Sequence, residues 1–350
     1  MTVQPENIFK GEDELKKTKV IGAGKYIPEK IVTSAELEEQ MGFERLGVRK
    51  GTIKLLNGVN ERHFASDEEN TSDLAAKAGM QAIEMAGIDP EDIDLLIFAS
   101  ISQDFIEPAT ANAVQYKLGA TNAKCFDVKN ACNAFITSLE IANAYIASGN
   151  VETVLITSGE IMHNYIKWDY NDKDEICETN ATLGFGDGGG AILLQASEDE
   201  NVGMSTRFQT NGNYWDVGVI WGGGSMYMAD PDKFTMKNVD PDMVQKNTMR
   251  AAKFYFDSMK KNDIDIDDVD LYITTQMGKY TIHQLADSLK IPHEKIVVQC
   301  DRFGNTAAAS MPIALTRALE SGELSLGSGQ RVVMFGAANG LTFGYASFVL

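Results

Sequence analysis

The feature that most constrains the fold is an internal repeat with a period of about half the chain. Residues 70–98 and 247–273 each read as an amphipathic helix, a short acidic turn with the pattern Asp-(Ile/Val)-Asp-Leu, and an apolar strand. Residues 124–159 and 296–340 then each predict a strand, a turn of small residues, a long helix and another strand. Four elements that recur in the same order indicate two similar halves that pack together.

Short apolar runs alternate with helix-like segments along the chain, which is typical of an α/β protein with a buried mixed sheet. The chain has 350 residues, which is enough for two domains. We expect one half over 18–200 and the other over 201–350. The predicted strands are Val20–Ala23, Leu95–Ala99, Val154–Thr157, Ala191–Leu194, Leu271–Thr274, Ile296–Val298 and Val332–Phe335.

Residues 201–238 interrupt this alternation, because they are rich in glycine and aromatic side chains. Such a segment is either a long ordered loop that lines a substrate pocket or an excursion over the surface. The sequence leaves both readings open.

Composition excludes several classes of function. The formal net charge of -19 argues against a nucleic-acid partner, because phosphate binding needs clustered Lys and Arg. No apolar run approaches the length of a membrane span, and the N-terminus has no signal-peptide pattern. The four cysteines have no metal-ligand spacing, so we expect free thiols in a reducing cytoplasm and no metal or redox cofactor.

Cys132 is the strongest candidate for chemistry. It follows a strand-like run and precedes a long apolar helix, within the segment DVKNACNAF. Unpaired N–H groups and the dipole at a helix N-terminus would stabilise a thiolate there and lower the pKa of the thiol. The local sequence fits a buried structural cysteine equally well.

Five segments resemble the motifs of the ketoacyl synthase III group in the thiolase superfamily, and they occur in the same order. Together they span roughly residues 18–350, which makes the resemblance specific. The segments are GVNERH at 58–63, DVKNACNAF at 127–135, FGDGGGA at 185–191, GNTAAAS at 304–310 and NGLTFG at 339–344.

This resemblance implies an α/β protein with the thiolase fold, five-layered αβαβα with two pseudo-duplicated halves. It implies that Cys132 is the nucleophile that carries an acyl group. Asn305 would bind the thioester oxygen of a second substrate, and the loop at Asn339 and Gly340 would help the N–H of Cys132 to form an oxyanion hole.

A subgroup is also similar, the head-to-head condensing enzymes of bacterial olefin synthesis and related dialkylresorcinol-type enzymes. The segment Gln103–Thr110 and the nucleophile motif carry this resemblance. In that subgroup a glutamate at the position of Glu107 crosses a dimer interface and acts as a base at the partner's cysteine. The resemblance therefore implies a homodimer, whereas the plain alternative for Glu107 is a solvated loop acid.

One departure from the family pattern affects the chemistry. Thr275 stands where the family has its catalytic histidine, while Gln276 matches the neighbouring glutamine and Gly278 replaces an asparagine. Threonine cannot titrate near neutral pH and offers only a neutral hydroxyl. Decarboxylative condensation is therefore in doubt, and we expect Thr275 and Gln276 to orient the second substrate.

Two further positions bear on the substrate and on a substitute for the histidine. In the typical enzyme a tryptophan and an arginine bind coenzyme A. Thr52 and Leu56 occupy the matching positions in this sequence. His163 follows a strand end in the first half, so it has either a chemical role or an ordinary place in a loop.

The expected activity is that of an acyltransferase or condensing enzyme. It would take an acyl group from a thioester of coenzyme A or acyl carrier protein and pass it to a second substrate, with no other cofactor. Claisen-type condensation in fatty-acid-like or secondary metabolism is the leading hypothesis. Transfer to an oxygen, nitrogen or sulfur nucleophile is an alternative, and a degenerate subunit that supports an active paralogue in a heterodimer is another.

Overall fold

The computed structural model describes residues 15–236 and 241–350, without the side chains of residues 241–245. The last two residues of the glycine-rich and aromatic segment, 237 and 238, lie outside the described residues. The strands are β1 (Lys17–Tyr26), β2 (Lys30–Thr33), β3 (Glu61–Phe64), β4 (Leu95–Ala99), β5 (Lys124–Val128), β6 (Thr153–Glu160), β7 (Gly188–Ser197), β8 (Met204–Thr210), β9 (Leu271–Thr274), β10 (Arg331–Ala338) and β11 (Thr342–Val349). The helices are α1 (Ser34–Gln40), α2 (Thr52–Asn57), α3 (Thr71–Ala86), α4 (Thr110–Leu118), α5 (Ala134–Ala147), α6 (Lys173–Glu178), α7 (Pro241–Lys261), α8 (Lys279–Leu289), α9 (Cys300–Phe303) and α10 (Ser310–Glu320).

The repeated halves build two sheets. The first has the strand order β1-β7-β6-β4-β5, and the second has the order β8-β11-β10-β9. In the first sheet β4 runs parallel to both β5 and β6, whereas β7 is antiparallel to its neighbours. In the second sheet β10 is parallel to β9 and antiparallel to β11. The strands β2 and β3 form a separate antiparallel pair.

Helices cover both faces of each sheet. Helix α3 packs on the first sheet from outside and contacts α4, while α7 contacts α8 and the second sheet. Helices α5 and α10 each contact strands of both sheets, so they form the central layer. One large apolar cluster joins these two helices to the inner faces of both sheets. The predicted five-layered αβαβα arrangement of the thiolase fold is confirmed.

The predicted strand Ile296–Val298 is wrong. The segment forms a single bridge, between Ile296 and Tyr272, and does not continue the second sheet as a strand. The cause is the side chain of Gln276, which donates to the carbonyl oxygen of Val297 at 3.0 Å. Its oxygen also accepts from the N–H of Gln299 at 2.8 Å, so a side chain takes backbone groups that a longer ladder would use.

Close approach of helix and strand in the first half requires glycine. A Cβ atom added to Gly24 in β1 would lie 1.9 Å from the carbonyl oxygen of Ala78 in α3. Gly159 in β6 lies equally close to α3, since a Cβ atom added to it would lie 1.9 Å from the carbonyl oxygen of Thr71. These glycines set the distance between α3 and the sheet.

The variant Gly24→Ala should lower the free energy of unfolding by about 1–3 kcal/mol, because the backbone must shift to accept the methyl group. Urea denaturation monitored by circular dichroism measures the change. Gly212→Ala is the matched control, since an added Cβ there has nothing within 4 Å. Equal stability of the two variants would contradict this account of the packing.

Candidate active site

Cys132 lies on a sharp turn between β5 and α5. The helix begins at Ala134, and Asn133 is its N-cap residue. The N–H of Asn133 donates to the carbonyl oxygen of Asn130, and Ala131 adopts a left-handed conformation with φ of 47°. The thiol is therefore placed just before the helix, as the sequence predicted, on a strained turn of the kind that occurs at functional sites.

The second half repeats this turn. Ala307 has φ of 46° and precedes the start of α10 by the same number of residues as Ala131 precedes the start of α5. Asn305 lies in this second turn, and its side-chain oxygen accepts from the N–H of Ala307 at 3.0 Å. The internal repeat thus brings two equivalent turns together, one with the cysteine and one with the asparagine.

One open cavity of about 1070 Å³ is lined by Cys132, Asn305 and Asn339. The amide nitrogen of Asn305 has no partner among the described residues, so it can donate to a ligand. The amide nitrogen of Asn339 donates to the carbonyl oxygen of Gly218 at 2.6 Å, which ties the cavity wall to the glycine-rich and aromatic segment. Met236 of that segment also lines the cavity, so part of the segment does line the pocket.

The pKa of Cys132 is opposite to the expectation. Burial, together with the nearby carboxyl group of Glu160, raises the pKa of the thiol to about 12. The thiol's own backbone N–H lowers its pKa, but by less. The expected low pKa is therefore wrong, because the loss of hydration raises the pKa more than the N–H group of Cys132 lowers it.

The side chains that line the cavity carry no ionic charge. The cavity's lining side chains are apolar or neutral, and apart from Cys132 only Tyr280 among them can titrate. Leu56, Met277 and Tyr280 are about half exposed and form an apolar mouth. Thr52 lies on the same helix as Leu56, and its hydroxyl donates to the carbonyl oxygen of Arg49.

A second, mostly apolar cavity of about 790 Å³ adjoins the first. It lies against α7 and α8, and Thr275 and Gly340 line it. The two cavities share a wall at Met277, Thr281, Ala337, Ala338 and Asn339. The hydroxyl oxygen of Thr275 accepts from the N–H of Ala337 at 3.1 Å, and its hydrogen remains available as a donor.

Gln276 lines neither cavity, in contrast to the predicted role in binding substrate. Its side chain is fully buried. The amide nitrogen donates to the carbonyl oxygens of Thr274 and Val297, and the oxygen accepts from the N–H groups of Gln299 and Cys300. All of its hydrogen-bonding capacity holds the backbone, so it has no group left for a ligand.

Glu107 also lies outside both cavities. It sits on the loop between β4 and α4, where Glu107, Phe105 and Ile106 are exposed. The predicted action of Glu107 on the cysteine of a second copy stays a prediction.

His163 does not replace the missing histidine. It lines a separate polar cavity, and its Nδ1 contacts the buried carboxylate of Asp187. Its ring packs on Phe64 with centroids 4.8 Å apart. Asp187 also accepts from the N–H of His163 and of Ala65, so this pair fixes the loop after β6.

In the described part of the chain, no group of three or more His, Cys, Asp or Glu side chains is placed to hold a metal ion. No helix within 15–236 and 241–350 is long and apolar enough to cross a membrane.

Known proteins are similar to this chain over most of its length. Residues 126–212 match the family model for 3-oxoacyl-[acyl-carrier-protein] synthase III, and residues 259–349 match the model for its C-terminal part. Beta-ketoacyl-[acyl-carrier-protein] synthase III of Ehrlichia canis is 34% identical over 94% of this chain and 98% of its own. The chain belongs to the beta-ketoacyl-[acyl-carrier-protein] synthase III family.

Another family member and two solved structures are also similar to this chain. The synthase III of Xanthomonas campestris is 33% identical over 94% of this chain and 97% of its own. The crystal structure of the synthase III of Aquifex aeolicus superposes with a TM-score of 0.83 at 29% identity and covers 95% of this chain and 100% of that one. The structure of Xanthomonas campestris OleA with bound lauric acid and lauroyl-CoA shares the fold, with a TM-score of 0.84 at 22% identity over 96% and 100% of the two chains. This chain is an acyltransferase of the condensing type.

Alkylation of Cys132 by iodoacetamide should be slow at about pH 7 and should keep accelerating to about pH 10, because the thiolate is the reacting form. Mass spectrometry of digested protein measures the modification at each cysteine separately. Cys177, which is exposed, serves as the internal control. A rate at Cys132 that levels off below about pH 8 would show that the helix end outweighs burial after all.

Proposed function

We propose that Cys132 attacks an acyl thioester, holds the acyl group, and passes it to a second substrate in a Claisen-type condensation. The observation that carries this proposal is the shared cavity of Cys132 and Asn305, with the apolar second cavity beside it. Cys132 supplies the nucleophile, Asn305 supplies a free N–H donor, and two adjoining compartments suit two substrates. The thioester would come from coenzyme A or from an acyl carrier protein.

The thiol must be activated as it attacks. At neutral pH it is protonated, and its proton passes to the sulfur of the coenzyme A or carrier thiol, which leaves as the acyl group moves to Cys132. A thiolate of high pKa is a strong nucleophile once it forms, since nucleophilicity rises with pKa. The N–H of Cys132 lies close to its own sulfur, and with the loop at Asn339 and Gly340 it would stabilise the negative oxygen of the tetrahedral intermediate.

The second substrate would present its carbonyl oxygen to the amide of Asn305. A donor that is already fixed stabilises an enolate oxygen as its charge develops. The bond from the side-chain oxygen of Asn305 to the N–H of Ala307 fixes the amide for this purpose. The products would belong to fatty-acid-like or secondary metabolism.

A homodimer would complete the site. Strand β5 lies at the edge of the first sheet, and its exposed N–H and C=O groups can pair with a second copy. Phe105, Ile106 and Tyr116 expose apolar surface in this half of the chain. In such a dimer the loop with Glu107 would approach the partner's cavity, where its carboxylate could remove a proton from the second substrate.

Acyl transfer to an oxygen, nitrogen or sulfur nucleophile is the second candidate. Thr275 favours it, because this side chain lines the second cavity and places a hydroxyl, not an imidazole, beside the shared wall. A hydroxyl can orient an alcohol or amine, but it cannot take a proton near neutral pH.

Incubation with a panel of acyl-coenzyme A and acyl-carrier thioesters should raise the intact mass by one acyl group, because Cys132 forms a covalent acyl-enzyme. The variant Cys132→Ala should show no adduct, whereas Cys177→Ala should acylate like the wild type, because Cys177 is an exposed residue outside both cavities. An adduct that persists in Cys132→Ala would overturn the assignment. Absence of any adduct would contradict the proposal and favour the alternative that this chain is a supporting subunit in a heterodimer.

Thr275→His should raise the decarboxylation of a malonyl thioester by about 100-fold, because it adds one fixed donor to the site. Thr275 lines the second cavity, so the ring would extend toward it. Thr275→Val is the matched control, since it keeps the shape and removes the hydroxyl. A loss of acyl transfer in both variants, with no gain in decarboxylation, would favour the heteroatom acceptor over condensation.

A further inference from the structure

A buried carboxyl group lies behind the cysteine. Glu160 ends strand β6 and is fully buried. In the described part of the chain no Lys, Arg or His side chain pairs with it; instead it accepts from the N–H groups of Ile101 at 2.9 Å, Ser102 at 3.1 Å and Ala308 at 3.3 Å. A buried carboxyl group with no cationic partner is rare in proteins, because desolvation of its charge is unfavourable.

The three N–H groups that donate to Glu160 come from both sides of the cavity. Ile101 lies on the loop after β4 and lines the cavity of Cys132. Ala308 follows Ala307, whose N–H fixes the side chain of Asn305. One carboxyl group therefore ties the cysteine's side of the cavity to the turn that carries the asparagine.

The same carboxyl group acts electrostatically on its neighbours. Its charge adds to burial in raising the pKa of Cys132, and it does the same to Tyr165. Burial raises the pKa of Glu160 itself, while the N–H groups of Ile101 and Ser102 and the hydroxyls of Ser102 and Ser100 lower it.

We propose that Glu160 is a positioning residue that clamps the Asn305 turn to the loop after β4. The clamp keeps the amide of Asn305 aimed into the cavity. This inference concerns the free protein and does not depend on which acyl acceptor is used.

Glu160→Gln tests the clamp with the length of the side chain kept. One carboxyl oxygen becomes an NH2 group that faces backbone N–H donors, so the backbone amides of residues 305–310 should exchange hydrogen faster, by about tenfold for a weakened local contact. The kcat should fall while the KM for the acyl donor stays, because the amide of Asn305 is the group displaced. Glu38→Gln is the matched control, because Glu38 is also buried and accepts two backbone N–H groups, from Gly51 and Ile53. A folded Glu160→Gln protein with wild-type exchange at residues 305–310 would overturn the proposal.

Glu160→Asp tests the clamp and serves if the glutamine variant does not fold. It shortens the side chain, so the backbone amides of residues 305–310 should exchange hydrogen faster, by about tenfold for a weakened local contact. Unchanged exchange at 305–310 would contradict the proposal.

Discussion

Burial of α5 and α10 between two sheets is the constraint on which the rest of the molecule depends. Both helices contact both sheets, so their starts are fixed by packing on every side. Each helix follows a turn with one left-handed alanine, and the two turns carry Cys132 and Asn305. The repeat seen in the sequence thus becomes a site at which two equivalent helix starts meet.

The same burial decides the chemistry of the thiol. A helix N-terminus favours a thiolate, whereas removal from water and the carboxyl group of Glu160 disfavour it. In this protein the last two effects are stronger, so the resting cysteine is a protonated thiol.

Sequence patterns predicted much of the fold and the core of the site. The period of the repeat predicted two halves, and the ordered motifs predicted that Cys132 and Asn305 would meet. The patterns failed where a single side chain acts at a distance along the chain. Gln276 ends a strand early by bonding to Val297, and no local propensity reveals that contact. Glu160 accepts from the N–H of Ala308 across the interface of the two halves. The sequence alone could not predict this contact or its effect on the thiol.

Glu107 shows a different limit. Its position on an exposed loop gives it no contact with the cavity of its own chain, so the role proposed for it depends on a second copy. The sequence resemblance and the edge position of β5 are the grounds for proposing such a copy. A single chain places Cys132 and Asn305 in one cavity, whereas the proposed base would come from a second copy.

The most direct test of the central claim is a crystal structure of the protein after reaction with a long-chain acyl thioester. The account predicts continuous density from the sulfur of Cys132, with the acyl carbonyl near Asn305 or the loop at Asn339 and the chain within one of the two adjoining cavities. An acyl group bound elsewhere, with both cavities empty and Cys132 free, would contradict it.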